Sequence, residues 1–328
     1  MTRPFTIDLG WNAFLADLNV RPADLLRAAR LPDDLFTRAR PTLETTEFFR
    51  LWDALVAALG VPDPGLLIGT AASAETFSPP LFAAFCSTDL SSALSRLKTY
   101  KPLIGPLKLD VLDLGIGLEA TYGADFGTEI PDEFVATELV FLVHMARLAT
   151  RHQIRPIAVE MTNPPVVQSY AEFFGLVPRE GPFNRLVFSP EDAKRPFLSA
   201  NPTLFAAFET DLRTRLDEIQ ASAGVSERVR AALMEALPSG QAEIAPVSSR
   251  LGFSPRSLQR KLTAEGTSFK AELASLRERL ARDYLINTRH SSAEISFLLG
   301  YEDPNSFIRA FHSWTGTTPE ALRAETRK

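Results

Sequence analysis

Cysteine is nearly absent from this 328-residue chain, which has one, Cys86. A lone thiol excludes an internal disulfide and a cysteine-based zinc site. Its neighbours Leu81, Phe82 and Phe85 mark it as a small buried hydrophobe rather than a redox sensor. The four histidines, His144, His152, His290 and His312, have no metal-ligand spacing and no partner carboxylate pattern, so they read as structural or exposed. No run approaches eighteen apolar residues, and the opening MTRPFTIDLGW has no signal-peptide core. The expectation is a cytoplasmic chain with no membrane partner. Gly115-Ile116-Gly117 lacks the continuation of a dinucleotide loop. Nucleophile elbow, phosphate loop and Cys/His pair are also missing, so no catalytic residue, cofactor or metal site is assigned.

What is present is an ordinary globular composition, 45% hydrophobic and 23% charged, with enough length for two domains. The net charge of −5 is unevenly spread. Residues 225–328 carry 15 Lys and Arg against 12 Asp and Glu, a balance of +3, while residues 1–224 carry 20 against 28, or −8. Only the C-terminal part has the sign that meets phosphates. Of the 23 phenylalanines, 18 lie in residues 1–224. That density fills a core, the default reading, or lines an apolar ligand cavity.

The C-terminal part repeats one short pattern. Val247-Ser248-x-x-Leu251-Gly252-Phe253 is followed by Pro255-Arg256-Ser257-Leu258-Gln259-Arg260-Lys261-Leu262. Ile295-Ser296-x-x-Leu299-Gly300-Tyr301 is followed by Pro304-Asn305-Ser306-Phe307-Ile308-Arg309-Ala310-Phe311. The offset is 48 residues in the first half of each copy and 49 in the second. A small serine permits close helix approach, a glycine permits positive φ, and Ser254-Pro255 or Asp303-Pro304 starts the next helix. Each copy is thus two short helices about a sharp turn. Leu258 and Leu262, or Phe307 and Phe311, face the core four residues apart. Arg256, Ser257, Gln259 and Arg260, or Asn305, Ser306 and Arg309, are thereby turned toward the other side. Arg, Gln and Asn are the side chains that make paired contacts to guanine and adenine edges in the major groove.

Two motifs, LGFSPRSLQRKLTAEGTSF from Leu251 and SSAEISFLLGYEDPNSFIRAFHSWTGTTPEALR from Ser291, carry a resemblance to the DNA-binding domain of the AraC/XylS family of bacterial transcription regulators. The resemblance implies base or groove contacts for Arg256, Ser257, Gln259, Arg260, Asn305, Ser306 and Arg309. It also implies double-stranded DNA and RNA polymerase as partners, activation as the more common outcome, and a homodimer formed through the N-terminal domain. Pro246 departs from the pattern and is expected in the opening turn of its helix, where a missing N–H is harmless. Phe253, Tyr301, Phe307, Phe311 and Trp314 are expected in the core.

Between the copies, Thr267 is a candidate N-cap for a helix to Ile286 with Phe269, Leu273, Leu276, Leu280 and Tyr284 on one face. Such a helix spans about 30 Å. That approaches one DNA turn of about 34 Å, so the two recognition helices are expected in successive major grooves. Ser291 and Glu294 form a capping box for the second copy.

Upstream, helices are expected over Trp11–Leu18, from Pro22, from Thr45 with Phe48, Leu51, Trp52, Leu55 and Leu59 on one face, and over Ser91–Leu103. Prolines 62, 64, 79 and 80 punctuate the interval. Alternation on both sides of Gly115 predicts a hairpin. A helix over Pro131–Thr150, burying Phe134, Leu139, Leu142 and Leu148, then precedes a strand from Ile157, a helix over Val166–Phe174 and a strand from Arg185. The runs PLFAAFCSTDLSSALSRLKTYKPLIGP from Pro80, RPIAVEMTNPP from Arg155 and Phe173-Phe174-Gly175 resemble the arabinose-binding-type sensor domain of the family branch that includes regulators of amino-acid use and virulence. A helix from Asn201 to about Ala221 closes this part.

The expected fold is an α+β sensor and dimerisation domain over residues 1–220, a linker and leading helix over 221–240, capped by Ser226, and an all-α domain of two helix-turn-helix units joined by a long helix over 241–328. The functional reading is a sequence-specific transcription regulator modulated by a small-molecule effector, whose pocket residues stay unassigned. The alternatives are a regulator controlled by a protein partner or by abundance, and, remotely, an enzyme with a DNA-binding tail.

Overall fold

The computed structural model describes residues 3–8, 10–125, 128–222, 224–287 and 290–325. The chain divides into two compact units, Met1–Asp217 and Glu218–Lys328.

The first unit combines helices with two sheets. Strand β1 (Phe5–Thr6) pairs with β2 (Thr42–Leu43), and around this ribbon stand α1 (Gly10–Asp17), α2 (Pro22–Ala29) and α3 (Thr45–Leu59). Helix α3 buries Phe48, Leu51, Trp52 and Leu55, the stripe expected from its spacing, and a capping box between Glu44 and Glu47 opens it. The proline-rich interval forms two short helices, α4 (Pro64–Ala71) and α5 (Pro79–Phe85), with prolines in their first turns. Helix α6 (Leu90–Tyr100) is capped by Asp89, whose carboxylate accepts the Ser92 N–H at 2.7 Å. Pro102 leaves only a 3-10 turn over Lys101–Leu103, so the helix expected to reach Leu103 stops short.

Strands β3 (Leu107–Asp113) and β4 (Leu118–Ala124) make the expected hairpin, closed by a Leu114 N–H to Gly117 carbonyl bond of 2.9 Å. Helix α7 (Asp132–Thr150) follows, then β5 (Ala158–Met161), α8 (Gln168–Phe174), β6 (Arg179–Glu180), β7 (Asn184–Phe188) and α9 (Pro190–Lys194). The larger sheet has the order β3-β4-β7-β5-β6, antiparallel except for the β5–β6 pair. Helix α7 buries Phe134, Leu139 and Leu142, but Leu148 stands 37% exposed. Gly69 of α4 lies so close to α7 that a Cβ would sit 2.7 Å from Val140 Cγ1. Val166, expected in the helix of α8, is fully exposed, and the helix begins two residues later. Helix α10 (Pro202–Ser222) ends this part of the chain.

Aromatic side chains fill much of the core. Phe5 and Phe48 stack at 3.8 Å, and Trp52 meets Phe134 edge-on at 4.7 Å. Cys86 is buried and unpaired, and burial pushes its thiol up, as suits a packing residue. His144 accepts or donates through Nε2 to the Ala72 carbonyl at 3.0 Å.

The second unit is all helix: α11 (Val225–Ala236), α12 (Ile244–Arg250), α13 (Pro255–Ala264), α14 (Phe269–Asn287), α15 (Ser292–Leu298), α16 (Pro304–Thr315) and α17 (Pro319–Glu325). Two caps differ from expectation. Gly224, not Ser226, precedes α11, and the Glu265 carboxylate accepts the Val225 and Ser226 N–H groups at 2.6 and 2.8 Å. Ser268, not Thr267, starts α14, accepting the Ala271 N–H at 3.2 Å, while Thr267 donates to Glu272. Pro246 falls in the first turn of α12.

Candidate nucleic-acid interface

The two helix-turn-helix units repeat each other bond for bond at the turn. Phe253 N–H donates to the Ser248 carbonyl at 2.8 Å, and Tyr301 N–H to the Ser296 carbonyl at 3.0 Å. Gly252 and Gly300 sit at φ +74° and +68°, a conformation that a side chain resists. Ser248 and Ser296 are fully buried between the helices they join. The turn therefore fixes how each second helix leaves the first.

Each second helix is anchored by an apolar pair. Leu258 and Leu262 of α13 enter a cluster with Val229, Leu233, Val247 and Leu276. Phe307 and Phe311 of α16 enter one with Ala281, Leu285, Ile295 and Leu299. Leu280 of α14 packs against both clusters, so one helix supports both units. Phe253, Tyr301 and Trp314 are half-buried against these clusters.

With those pairs buried, the opposite faces are presented to solvent. Arg256, Gln259 and Arg260 on α13 are exposed, as are Asn305 and Arg309 on α16. The sequence therefore locates all five on outward faces. Ser257 and Ser306 are half-buried and engaged at the helix starts. Ser254 Oγ accepts the Ser257 N–H at 3.2 Å and donates to Ser257 Oγ at 3.1 Å. Asp303 accepts both the Ser306 N–H, at 2.9 Å, and the Ser306 hydroxyl. Arg309 Nη2 in turn donates to Ser306 Oγ at 3.1 Å, which links Asp303, Ser306 and Arg309 into one chain. The Ser306 bonds, side chain first and backbone second, hold the Asp303 carboxyl below its usual range.

Position by position, Arg256 matches Asn305, Ser257 matches Ser306 and Arg260 matches Arg309. Gln259 is matched by Ile308, which is half-buried against the second cluster. The second face therefore offers one polar group fewer. Lys261 adds an exposed cation to the first face, its Nζ 5.4 Å from the Phe253 ring centre.

Two arginines outside the motif complete the turns. Arg277 of α14 donates through Nε to the Leu299 carbonyl and through Nη2 to the Gly300 carbonyl, both at 2.9 Å. Its guanidinium lies 4.3 Å from the Tyr301 ring centre. Arg228 of α11 does the equivalent at the first turn, 3.4 Å from the Leu251 carbonyl and 5.4 Å from the Phe253 ring. The repeat is thus three helices long. Its leading helices carry Arg228, Ala232 and Ala236 against Arg277, Ala281 and Leu285, an offset of 49 that was available in the sequence.

A model of the arabinose-binding N-terminal domain of AraC transcription regulators matches residues 20–197, more than half the chain. The chain belongs to the AraC family of transcription regulators. A helix-turn-helix domain model matches residues 247–325, the segment built around the two turns. This AraC-family chain is 29% identical over 316 residues to the ornithine utilization regulator of Pseudomonas aeruginosa, covering 94% of this chain and 92% of that one. It is 26% identical over 325 residues to the regulator VirS of Mycobacterium tuberculosis, covering 96% and 94%. The crystal structure of the regulator CdpR from Pseudomonas aeruginosa aligns over 97% of this chain and 98% of that one, at 20% identity and a TM-score of 0.46. The protein is therefore an AraC-type DNA-binding transcription regulator, not an enzyme. Among the described residues no single helix is long and apolar enough to cross a membrane.

Proposed function

We propose that this regulator places α13 and α16 in successive major grooves on one side of a duplex, and that a small molecule bound by the first unit changes how tightly it does so. The observation that carries the reading is the pair of matched outward faces, each fixed by an apolar pair at its back. Arg256, Gln259, Arg260, Asn305 and Arg309 are free to reach base edges or phosphates. Ser257 and Ser306 join them by exchanging a capping bond for a contact to DNA. Helix α14, at 19 residues, is about 28 Å long. That is near the rise of one duplex turn, about 34 Å.

Effector control is linkage: the small molecule must bind the DNA-competent state more tightly than the other. The arabinose-binding-type N-terminal domain supports a sensing role for residues 1–220, and the helix-turn-helix domain occupies residues 241–328. Transcriptional activation with RNA polymerase as partner, and a homodimer formed through the first unit, complete the proposal on family grounds. The tip of the β3–β4 hairpin exposes Leu112, Leu114 and Ile116, apolar surface of the kind that self-association covers.

The test is DNA binding by the full-length protein across a salt series, using the duplex upstream of its own gene beside a scrambled control. The expected result is salt-sensitive preference for the upstream duplex, lost in Arg260→Ala/Arg309→Ala. Equal affinity for both duplexes at every salt concentration, followed by a random-site selection that enriches nothing, would remove the reading.

A further inference from the structure

We infer that the first unit holds a binding site for a single-ring aromatic molecule carrying a protonated amine, in the cavity between α1, α3, α4 and α7. As the identity of an effector, this rests on the sensing role proposed above. As a binding site, it stands on the cavity itself.

The cavity has a volume of about 160 Å³. An apolar cavity of about 150 Å³ takes one benzene ring, so the size selects a single ring. Its walls are aromatic: Trp11 and Phe14 from α1, Phe48 and Trp52 from α3, Phe134 and Phe141 from α7. Edge-on contacts between Trp52 and Phe134 and between Trp11 and Phe48 fix these rings against one another. Stacking surface is therefore preformed.

The polar atoms nearest the wall are sealed from it. Trp52 is 5% exposed, and its Nε1, like Ser78 Oγ, has almost no surface open to the cavity. Trp52 therefore meets a ligand with its ring.

Charge decides the other end of the ligand. The ionisable residues on the wall are Asp8 and Glu138, both acidic. Glu138 is committed to the buried ammonium of Lys101. The Asp8 carboxylate has no ion pair or hydrogen bond among the described residues. Arg215 and Arg40 act on it at longer range, and burial outweighs them, pushing the carboxyl up. A carboxylate facing aromatic rings favours an organic ammonium, which the rings also attract through their π faces. An anionic ligand would meet the same carboxylate as repulsion.

Three probes separate these features, because they share the ring and hydroxyl and differ at one end: tyramine, 4-hydroxyphenylacetate and 4-methylphenol. Calorimetric titration of the full-length protein should show tyramine binding at least tenfold more tightly than the other two. Asp8→Asn should remove that preference. Trp52→Phe, which keeps a ring in the wall, should leave the order of the three unchanged. Tighter binding of 4-hydroxyphenylacetate, no binding of any probe, or tyramine binding unchanged in Asp8→Asn would overturn the site. Tyramine bound here with no change in DNA affinity would keep the site and remove the effector role. A metabolite that shifts DNA affinity and is indifferent to Asp8→Asn would do the reverse.

Discussion

Arg228 and Arg277 stand 49 residues apart and perform one task in the two halves of the C-terminal unit. Each extends from a leading helix, donates to a carbonyl at the helix-turn-helix turn, and lays its guanidinium over the aromatic ring that follows the glycine. The carbonyls at the end of α15 have no helical partner, and a guanidinium satisfies two of them at once. The turn that aims a recognition helix is thereby tied to the helix that carries both cores.

Arg277→Leu removes two charge-assisted bonds and the ring contact while leaving aliphatic bulk. The expected cost is about 1.5–3 kcal/mol of stability in urea unfolding. Arg277→Lys should recover less than half, because an ammonium lacks the planar fork. Arg228→Leu should cost less than Arg277→Leu, since its single bond is 3.4 Å long. Equal losses at the two positions would show that the bonds are not what matters.

Arg309 and Arg260 occupy matching exposed places, but Arg309 is held by Ser306 whereas the Arg260 side chain has no hydrogen-bond or ion-pair partner among the described residues. A pre-positioned side chain loses less freedom on binding. Arg309→Ala should therefore cost about 1–3 kcal/mol on the preferred duplex, with little loss on a scrambled one, as base reading requires. Arg260→Ala should weaken both duplexes and flatten the salt dependence, the behaviour of a phosphate contact. Competition binding at two salt concentrations distinguishes the two patterns.

What the sequence made legible was local. Ser254, Ser291 and Asp303 cap the helices that follow them because a cap lies three residues from its target, within reach of any pattern. The Leu258/Leu262 and Phe307/Phe311 pairs were equally plain, being four residues apart on one helix. What escaped was non-local. Glu265 caps α11 from 40 residues downstream, and no spacing rule connects them. The β1–β2 ribbon has two residues per strand, too few to alternate, and its register comes from Phe5 stacking on Phe48. The helical period places Leu148 in the core, yet the last turn of α7 buries Ala149 and Thr150 instead and leaves Leu148 on its outer side. The aromatic cavity had a compositional hint in the phenylalanine count, but composition does not say whether rings fill a space or surround one.

His144 gives the first unit a pH signature. Burial disfavours its charged form and lowers its pKa below 6.5, with Arg147 adding to the shift and the Ala72 carbonyl opposing it. A lowered folded-state value means that the unfolded chain binds the proton first as pH falls. The stability associated with neutral His144 is therefore complete above pH 6.5 and is lost as the pH drops from there through the lowered value. Melting temperatures between pH 7.5 and 5 should fall more steeply for the wild type than for His144→Gln. Parallel slopes would place the acid sensitivity elsewhere.

The Asp303–Ser306–Arg309 chain allows structural and reading roles to be separated at neighbouring positions. Asp303 accepts both the N–H and the hydroxyl of Ser306, so Asp303→Ala leaves the start of α16 without its cap and should lower the melting temperature. Asp303→Asn keeps an acceptor and should retain most of that stability. The bonds to Ser306 lower the Asp303 pKa, so its contribution is present above about 3.8, the unfolded value, and disappears as pH falls through the folded one. Ser306→Ala is different, since the backbone N–H still caps through Asp303, and what is lost is the hydroxyl's bonds to Asp303 and Arg309. That variant should melt close to wild type yet discriminate less well between duplexes, because Arg309 is no longer held in place. If Ser306→Ala instead lowered stability as much as Asp303→Ala and left discrimination intact, the chain would belong to the fold, and Arg309 would read DNA unaided.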